Sequence, residues 1–200
     1  MVLDNLKQYT EIYPNEKDIT PELFIYLHAA VEGYFKRLLF IGIRINEVQY
    51  KIAQDVLAML TLQKNQCWDN AIALLNIKNL FNNSECFREI YTLFNNFSSR
   101  YRNWFVHGIN ENLPPEILKM CVEVDITLIK VIEGILKANG KPSAFQTPTE
   151  WGARVVMVEE EPEEVINRLG LGNVGNLPLI EEEAKQKFNR VKELIKKEGI

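Results

Sequence analysis

The sequence predicts an all-α fold: an antiparallel helical bundle over residues 20–140, followed by an irregular C-terminal extension ending in a helix. Three observations carry that reading. Apolar residues recur at helical spacing through the first 140 positions. Residues that start and stop helices punctuate the pattern at short intervals. Beyond residue 140, Gly and Pro break it up. Residues 1–19 are set apart as an N-terminal segment.

Thr20-Pro21-Glu22 opens the first long helix, with a hydroxyl to cap it, proline at the first helical position and an acid facing the positive end. Leu23, Leu27, Ala30, Val31, Tyr34, Leu38 and Ile41 then follow at helical spacing. A second run carries Val48, Ile52, Val56, Leu57, Met59 and Leu60, and either continues or breaks near Asn65 before Ala71, Leu74, Leu75 and Ile77. The cluster Asn82-Asn83-Ser84 stops one helix and caps the next. That next run extends from Phe87 through Ile90, Tyr91, Phe94, Phe97, Tyr101, Trp104 and Phe105 to Gly108, a natural helix end. Pro114-Pro115 opens a further helix, closed by Asn139-Gly140. Long amphipathic helices with short connections bury one shared core most simply as an antiparallel bundle. In residues 141–200, Val155 to Val158 suits a short strand, Glu159 to Glu164 is an acidic run broken by Pro162, and a last helix is expected from about Pro178 to Lys197.

The balance of 46% hydrophobic and 25% charged residues is that of a globular domain, and a net charge of −4 argues against coating nucleic acid by bulk electrostatics. It leaves room for a local basic site. The longest apolar run, Leu38 to Ile43, is far short of the roughly 20 residues that span a bilayer, so no membrane partner is expected. The N-terminus has no apolar signal core. Cys67, Cys86 and Cys121 stand singly, as reduced and mostly packed thiols of a cytoplasmic protein do, and no metal or cofactor is implied.

Two features invite function and are better explained without it. Gly170 to Gly175 spells G-x-G-x-x-G, but the dinucleotide fingerprint needs a strand before the glycines and a helix straight after. Here a helical turn precedes and Leu177-Pro178 delays the next helix. His28 has Glu32 one turn on, a pairing that accounts for it structurally.

The stretch Arg100-Tyr-Arg-Asn-Trp-Phe-Val-His-Gly108 is different. From Ile90 through Asn110 a net acidic chain carries no acidic residue. At about 100° per residue, Arg100, Asn103 and His107 share a helix face, with Arg102 roughly 140° from His107. At a helix end the dipole favours the imidazolium while the nearby arginines oppose it, a balance suited to proton transfer. Tyr101 and Trp104 can stack bases or pack on the core, and the spacing favours packing.

Arg102 to His107, R-N-W-F-V-H, resembles the R-x(4–6)-H motif of the HEPN superfamily, in which the residue after the arginine is often Asn, Asp or His, as Asn103 is here. The architecture of residues 20–140 resembles that family too, while the tail from 141 onwards does not. The resemblance implies a metal-independent endoribonuclease acting as a homodimer, a toxin or antiviral defence protein with an antitoxin partner of nucleotidyltransferase type. Arg102, His107 and Asn103 would then be catalytic, with Arg100 and Tyr101 on the RNA. Two alternatives stay open: a non-catalytic HEPN-like module binding RNA or nucleotide through the same face, and a helical interaction protein whose acidic run meets a basic partner. That run is also a candidate to fold over the basic face and restrain it.

Overall fold

The computed structural model describes residues 2–108 and 113–172, and over them the chain is all-α, with no strand. Its axis is α2 (Pro21–Ile45). Thr20 caps this helix, its hydroxyl oxygen accepting from the Leu23 N–H at 3.2 Å. Leu38 to Ile43 are buried without a break. Consecutive positions sample every face of a helix, so α2 must have neighbours all round.

Those neighbours follow an alternating course. Phe35 packs on Trp68, and Gly42 on Leu74, of α4 (Lys64–Leu74). His28 meets Asp125, and Tyr34 meets Glu133, of α8 (Pro115–Ala138). Residue numbers rise together in both pairings, so α4 and α8 run parallel to α2. Along α6 (Glu85–Leu93) and α7 (Ser99–Val106) they fall, since Phe35 meets Tyr91 and His28 meets Ser99, so this arm runs antiparallel to α2. The core between them is aromatic: the Trp68 ring lies 4.9 Å from Phe81 of α5 (Lys78–Asn82), 5.1 Å from Phe87 and 5.2 Å from Phe35. α1 (Val2–Glu11) closes one side, burying Leu6 and hydrogen-bonding Tyr26 through Asn5. α3 (Tyr50–Met59) ends before residues 60–63, where the chain breaks ahead of α4. Among the described residues no helix is long and apolar enough to cross a membrane.

Two expectations need correction. The periodic run from Phe87 to Phe105 predicts one helix, but Phe94–Ser98 is a π-helical turn in which the Ser99 N–H reaches back to the Phe94 carbonyl. Apolar spacing barely registers one extra residue per turn, so the pattern hides it. Val155 to Val158 is no strand, because an all-α body offers it no edge to pair with. The expected helix over 178–197 lies outside the described residues.

The start of the extension is built into the core. Phe145 packs against Tyr34 at 5.4 Å, and Glu133 accepts both the Tyr34 hydroxyl at 2.5 Å and the Ala144 N–H at 3.1 Å. Burial and this carboxylate push the Tyr34 phenol well above its ordinary pKa. α9 (Pro162–Leu169) buries Val165 and Ile166 and packs on α3. Gly170, the first glycine of the G-x-G-x-x-G string, ends α9 in the left-handed conformation at φ 64°, and the Leu171 N–H reaches back to the Ile166 carbonyl. Within the acidic run, Glu160 is bonded to Arg168, which also reaches the Asn46 carbonyl. Asn46 is about 27 Å along α2 from His28, so Glu160 is far from the α7 face.

A Cβ on Gly42 would meet the Leu74 Cβ at 2.9 Å, whereas one on Gly134 of α8 meets nothing within 4 Å. Both glycines are helical, so alanine improves backbone propensity at each by about 1 kcal/mol. Gly134→Ala should raise the urea-unfolding free energy by about 0.5–1 kcal/mol, and Gly42→Ala should lower it by about 1 kcal/mol through overpacking.

Candidate nucleic-acid interface

α7 inherits its orientation from the π-helical turn and ends at a glycine. His107 is the C-cap, its N–H donating to the Asn103 carbonyl at 3.0 Å, and Gly108 follows at φ 64° with its N–H on Phe105. The imidazole is exposed. Arg100 is exposed too, its guanidinium 4.3 Å from the centre of the Trp104 ring. Tyr101 is half-buried, edge-on to Phe97 at 5.0 Å and to Trp104 at 5.4 Å, so its ring belongs to the margin of the core.

Arg102 is half-buried. One terminal nitrogen donates to the Asn103 Oδ1 at 2.9 Å, and its Nε is shielded with no partner. Asn103 therefore orients Arg102 through its side chain and meets His107 only through its backbone. No described carboxylate pairs with Arg100, Arg102 or His107. The predicted residues share one short helix and its C-cap, and among the described residues the hydrogen bond of Arg102 goes to Asn103.

Inward of Arg102 lies a polar cluster that sequence reasoning missed. His28, 1% exposed, places Nδ1 2.9 Å from Asp125 Oδ2, and Asp125 is fully buried. Ser98 donates to the other carboxylate oxygen at 2.6 Å and lies 3.2 Å from His28 Nδ1. Ser99 Oγ lies 3.3 Å from His28 Nε2, donates to the Phe94 carbonyl at 2.7 Å and accepts from the Lys64 ammonium. Phe94 stacks on the imidazole at 4.7 Å and lies under Lys64 at 4.5 Å. The Glu32 expected beside His28 stands 3.8 Å from Nε2, so it is the lesser partner: the buried carboxylate comes from α8, almost a hundred residues away. Ser98 and Ser99, where the π-helical turn passes into α7, are both buried.

The cluster sets charge at the surface as well as holding the core. Lys64 is half-buried at the start of α4, and burial lowers its pKa first of all; Glu32 and Asp125 counter this, and the nearby Arg102 adds to it. A lysine with that environment next to an incompletely satisfied guanidinium adds to Arg100 and Arg102 of α7 a cation that the helix's own sequence does not contain. The signals for this existed: an acid at a core position of α8, between Val124 and Ile126, and a histidine at a core position of α2. Among the described residues no group of three or more His, Cys, Asp or Glu side chains could hold a metal ion.

No family model, curated protein or solved structure matches the chain.

Removing the buried acceptor should be felt in stability. Asp125→Ala strands His28 and Ser98 and is expected to lower the unfolding free energy by about 3 kcal/mol in urea titrations. Asp125→Asn keeps an acceptor oxygen and should lose less.

Proposed function

We propose that the protein is a metal-independent endoribonuclease of HEPN type, active as a homodimer and leaving 2′,3′-cyclic phosphate ends. The observation that carries this reading is the end of α7, where an exposed imidazole and an incompletely satisfied guanidinium lie on an acid-free stretch of a net acidic chain. RNA cleavage by this route needs a base for the 2′-OH, an acid for the leaving 5′-oxygen and donors for the charged phosphorane. His107 supplies proton transfer. Arg102, oriented by Asn103 and backed by Lys64, supplies donors to the phosphate oxygens. Arg100 adds an exposed cation for the neighbouring backbone.

The need for two copies follows from proton counting. With His28 buried against Asp125, each chain offers one histidine to solvent, and the reaction uses an acid and a base. A two-fold dimer that apposes the α7 ends supplies both, and brings Arg102 of one copy towards His107 of the other. Val106, 49% exposed beside His107, gives such an interface some apolar surface. The HEPN resemblance extends the reading to a cytoplasmic toxin or antiviral protein, restrained by a nucleotidyltransferase-like antitoxin. The exposed Arg100 and the half-buried Arg102 also fit a second reading, a silent module that binds RNA through this face.

Incubation of the purified chain with RNA in EDTA separates the two. His107→Ala and Arg102→Ala should each slow cleavage by ~10²–10⁴-fold with the helical circular dichroism unchanged. Equal rates for wild type and His107→Ala would end the nuclease reading. Salt-sensitive binding without cleavage would establish the silent module instead.

A further inference from the structure

Where α1, the end of α8 and the start of the extension meet, the surface holds a cavity of about 520 Å³. Three exposed lysines line it from three segments: Lys7 of α1, Lys137 in the last turn of α8, and Lys141 just beyond that helix. Lys137 and Lys141 form no ion pair with any described residue, and Lys7 has Asp4 nearby. The carboxylate in the lining, Glu133, already accepts from the Tyr34 hydroxyl and the Ala144 N–H. Three ammonium groups thus face one occupied carboxylate, in a chain whose net charge is −4. The negative end of the α8 dipole accounts for a lysine at 137, but not for one delivered from α1.

The walls of the cavity are fixed by the fold itself. Arg37 donates to the Gln146 carbonyl at 3.0 Å, and Trp151 Nε1 donates to the Ser143 carbonyl at 3.0 Å. With the Ala144 N–H on Glu133, these bonds tie the turn at 143–146 to α2 and α8. Gly134 of α8 also lines the cavity, and a Cβ built there would meet nothing within 4 Å. Glycine inside a helix is disfavoured against alanine, so packing within the described chain gives no reason for it. The space that a side chain at 134 would fill is the cavity.

We propose that this cavity binds a small polyphosphate ligand, with Lys7, Lys137 and Lys141 on the phosphate oxygens and the ligand resting against Gly134. Each ammonium is a point charge with three donors on a flexible stem, and a di- or triphosphate chain carries enough negative charge to occupy several of them. The volume falls within the roughly 300–1,000 Å³ of small-molecule sites and is more than a single phosphate fills. A wall that is held in place without the ligand keeps the ordering cost of binding low.

The site is independent of the ribonuclease reading. Gly134 lies about 14 Å along α8 from Asp125, the residue that faces His28 and the start of α7. Isothermal titration of the full chain in EDTA should show pyrophosphate and tripolyphosphate binding at one site per chain, with orthophosphate weaker by roughly tenfold or more. Lys137→Glu and Lys141→Glu should each weaken tripolyphosphate binding by roughly tenfold or more. Lys17→Glu makes the same change of charge elsewhere and should leave binding as it was: Lys17 adjoins Glu16, whose partner Lys119 is about 27 Å along α8 from Lys137. Gly134→Leu leaves the charge unaltered and adds a side chain where there is open space, so it should weaken binding by roughly tenfold or more without lowering the thermal midpoint. Absence of binding by either polyphosphate, Lys137→Glu and Lys141→Glu variants that bind like wild type, an equal loss in Lys17→Glu, or full affinity in Gly134→Leu would each overturn the assignment. The readout is binding in the absence of RNA, so failure of cleavage leaves it standing, and its failure leaves the role of His107 untouched.

Discussion

The fully buried carboxylate of Asp125 is the constraint around which the bundle is organised. A charge at the centre of a helical core is tolerated only when its oxygens are occupied, and here one is taken by His28 and the other by Ser98. Those two partners come from α2 and from the turn before α7, so a single acid fixes three segments that are distant in sequence. Apolar packing alone lets helices slide and rotate at little penalty, whereas a hydrogen-bonded carboxylate admits one alignment. The alignment of α2 with α8 is repeated one layer further along, where Glu133 takes up Tyr34 and the Ala144 N–H. Two polar ties spaced along the same pair of helices hold them parallel and in register.

From that constraint the surface follows. Ser99, the next residue after Ser98, is pulled to His28 and Lys64, and α7 starts from there. Arg102 is one turn on, which brings it beside Lys64, while His107 emerges at the free end. The cations of this face are therefore not simply solvated residues on a convenient helix. Their positions are dictated by a buried network, and the network is the reason that a short helix whose one buried residue is Ser99 is held in one orientation.

How much of this is legible in the sequence depends on the range of the interactions. Features decided within a few residues can be read directly: the Thr20 cap with Pro21 behind it, the Ser84 cap accepting from Phe87, and the left-handed glycines at 108 and 140. The helical class follows from periodicity, and the run Leu38 to Ile43, too short for a bilayer, marks the central helix. The candidate residues of α7 are also local, since they share one helix. What cannot be read is decided at long range. Nothing near His28 indicates Asp125, and the adjacent Glu32 suggests a nearer partner. Lys64 lies in a different helix, so its approach to Arg102 depends on the fold. Residues 155–158 have the composition of a strand, but composition cannot say whether a partner strand exists.

The turn at Phe94–Ser98 has a further consequence for how this chain can vary. A π-helical turn is an α-helix carrying one additional residue, and each residue advances the helix by about 100°. Deleting any one position there would heal the helix into a regular spiral and swing everything beyond it by that angle, carrying Ser99 away from His28 and Arg102 away from Lys64. The spatial phase of the basic face is thus encoded in a residue count more than in residue identities. Point substitutions in the turn leave that phase intact, and a single-codon deletion resets it.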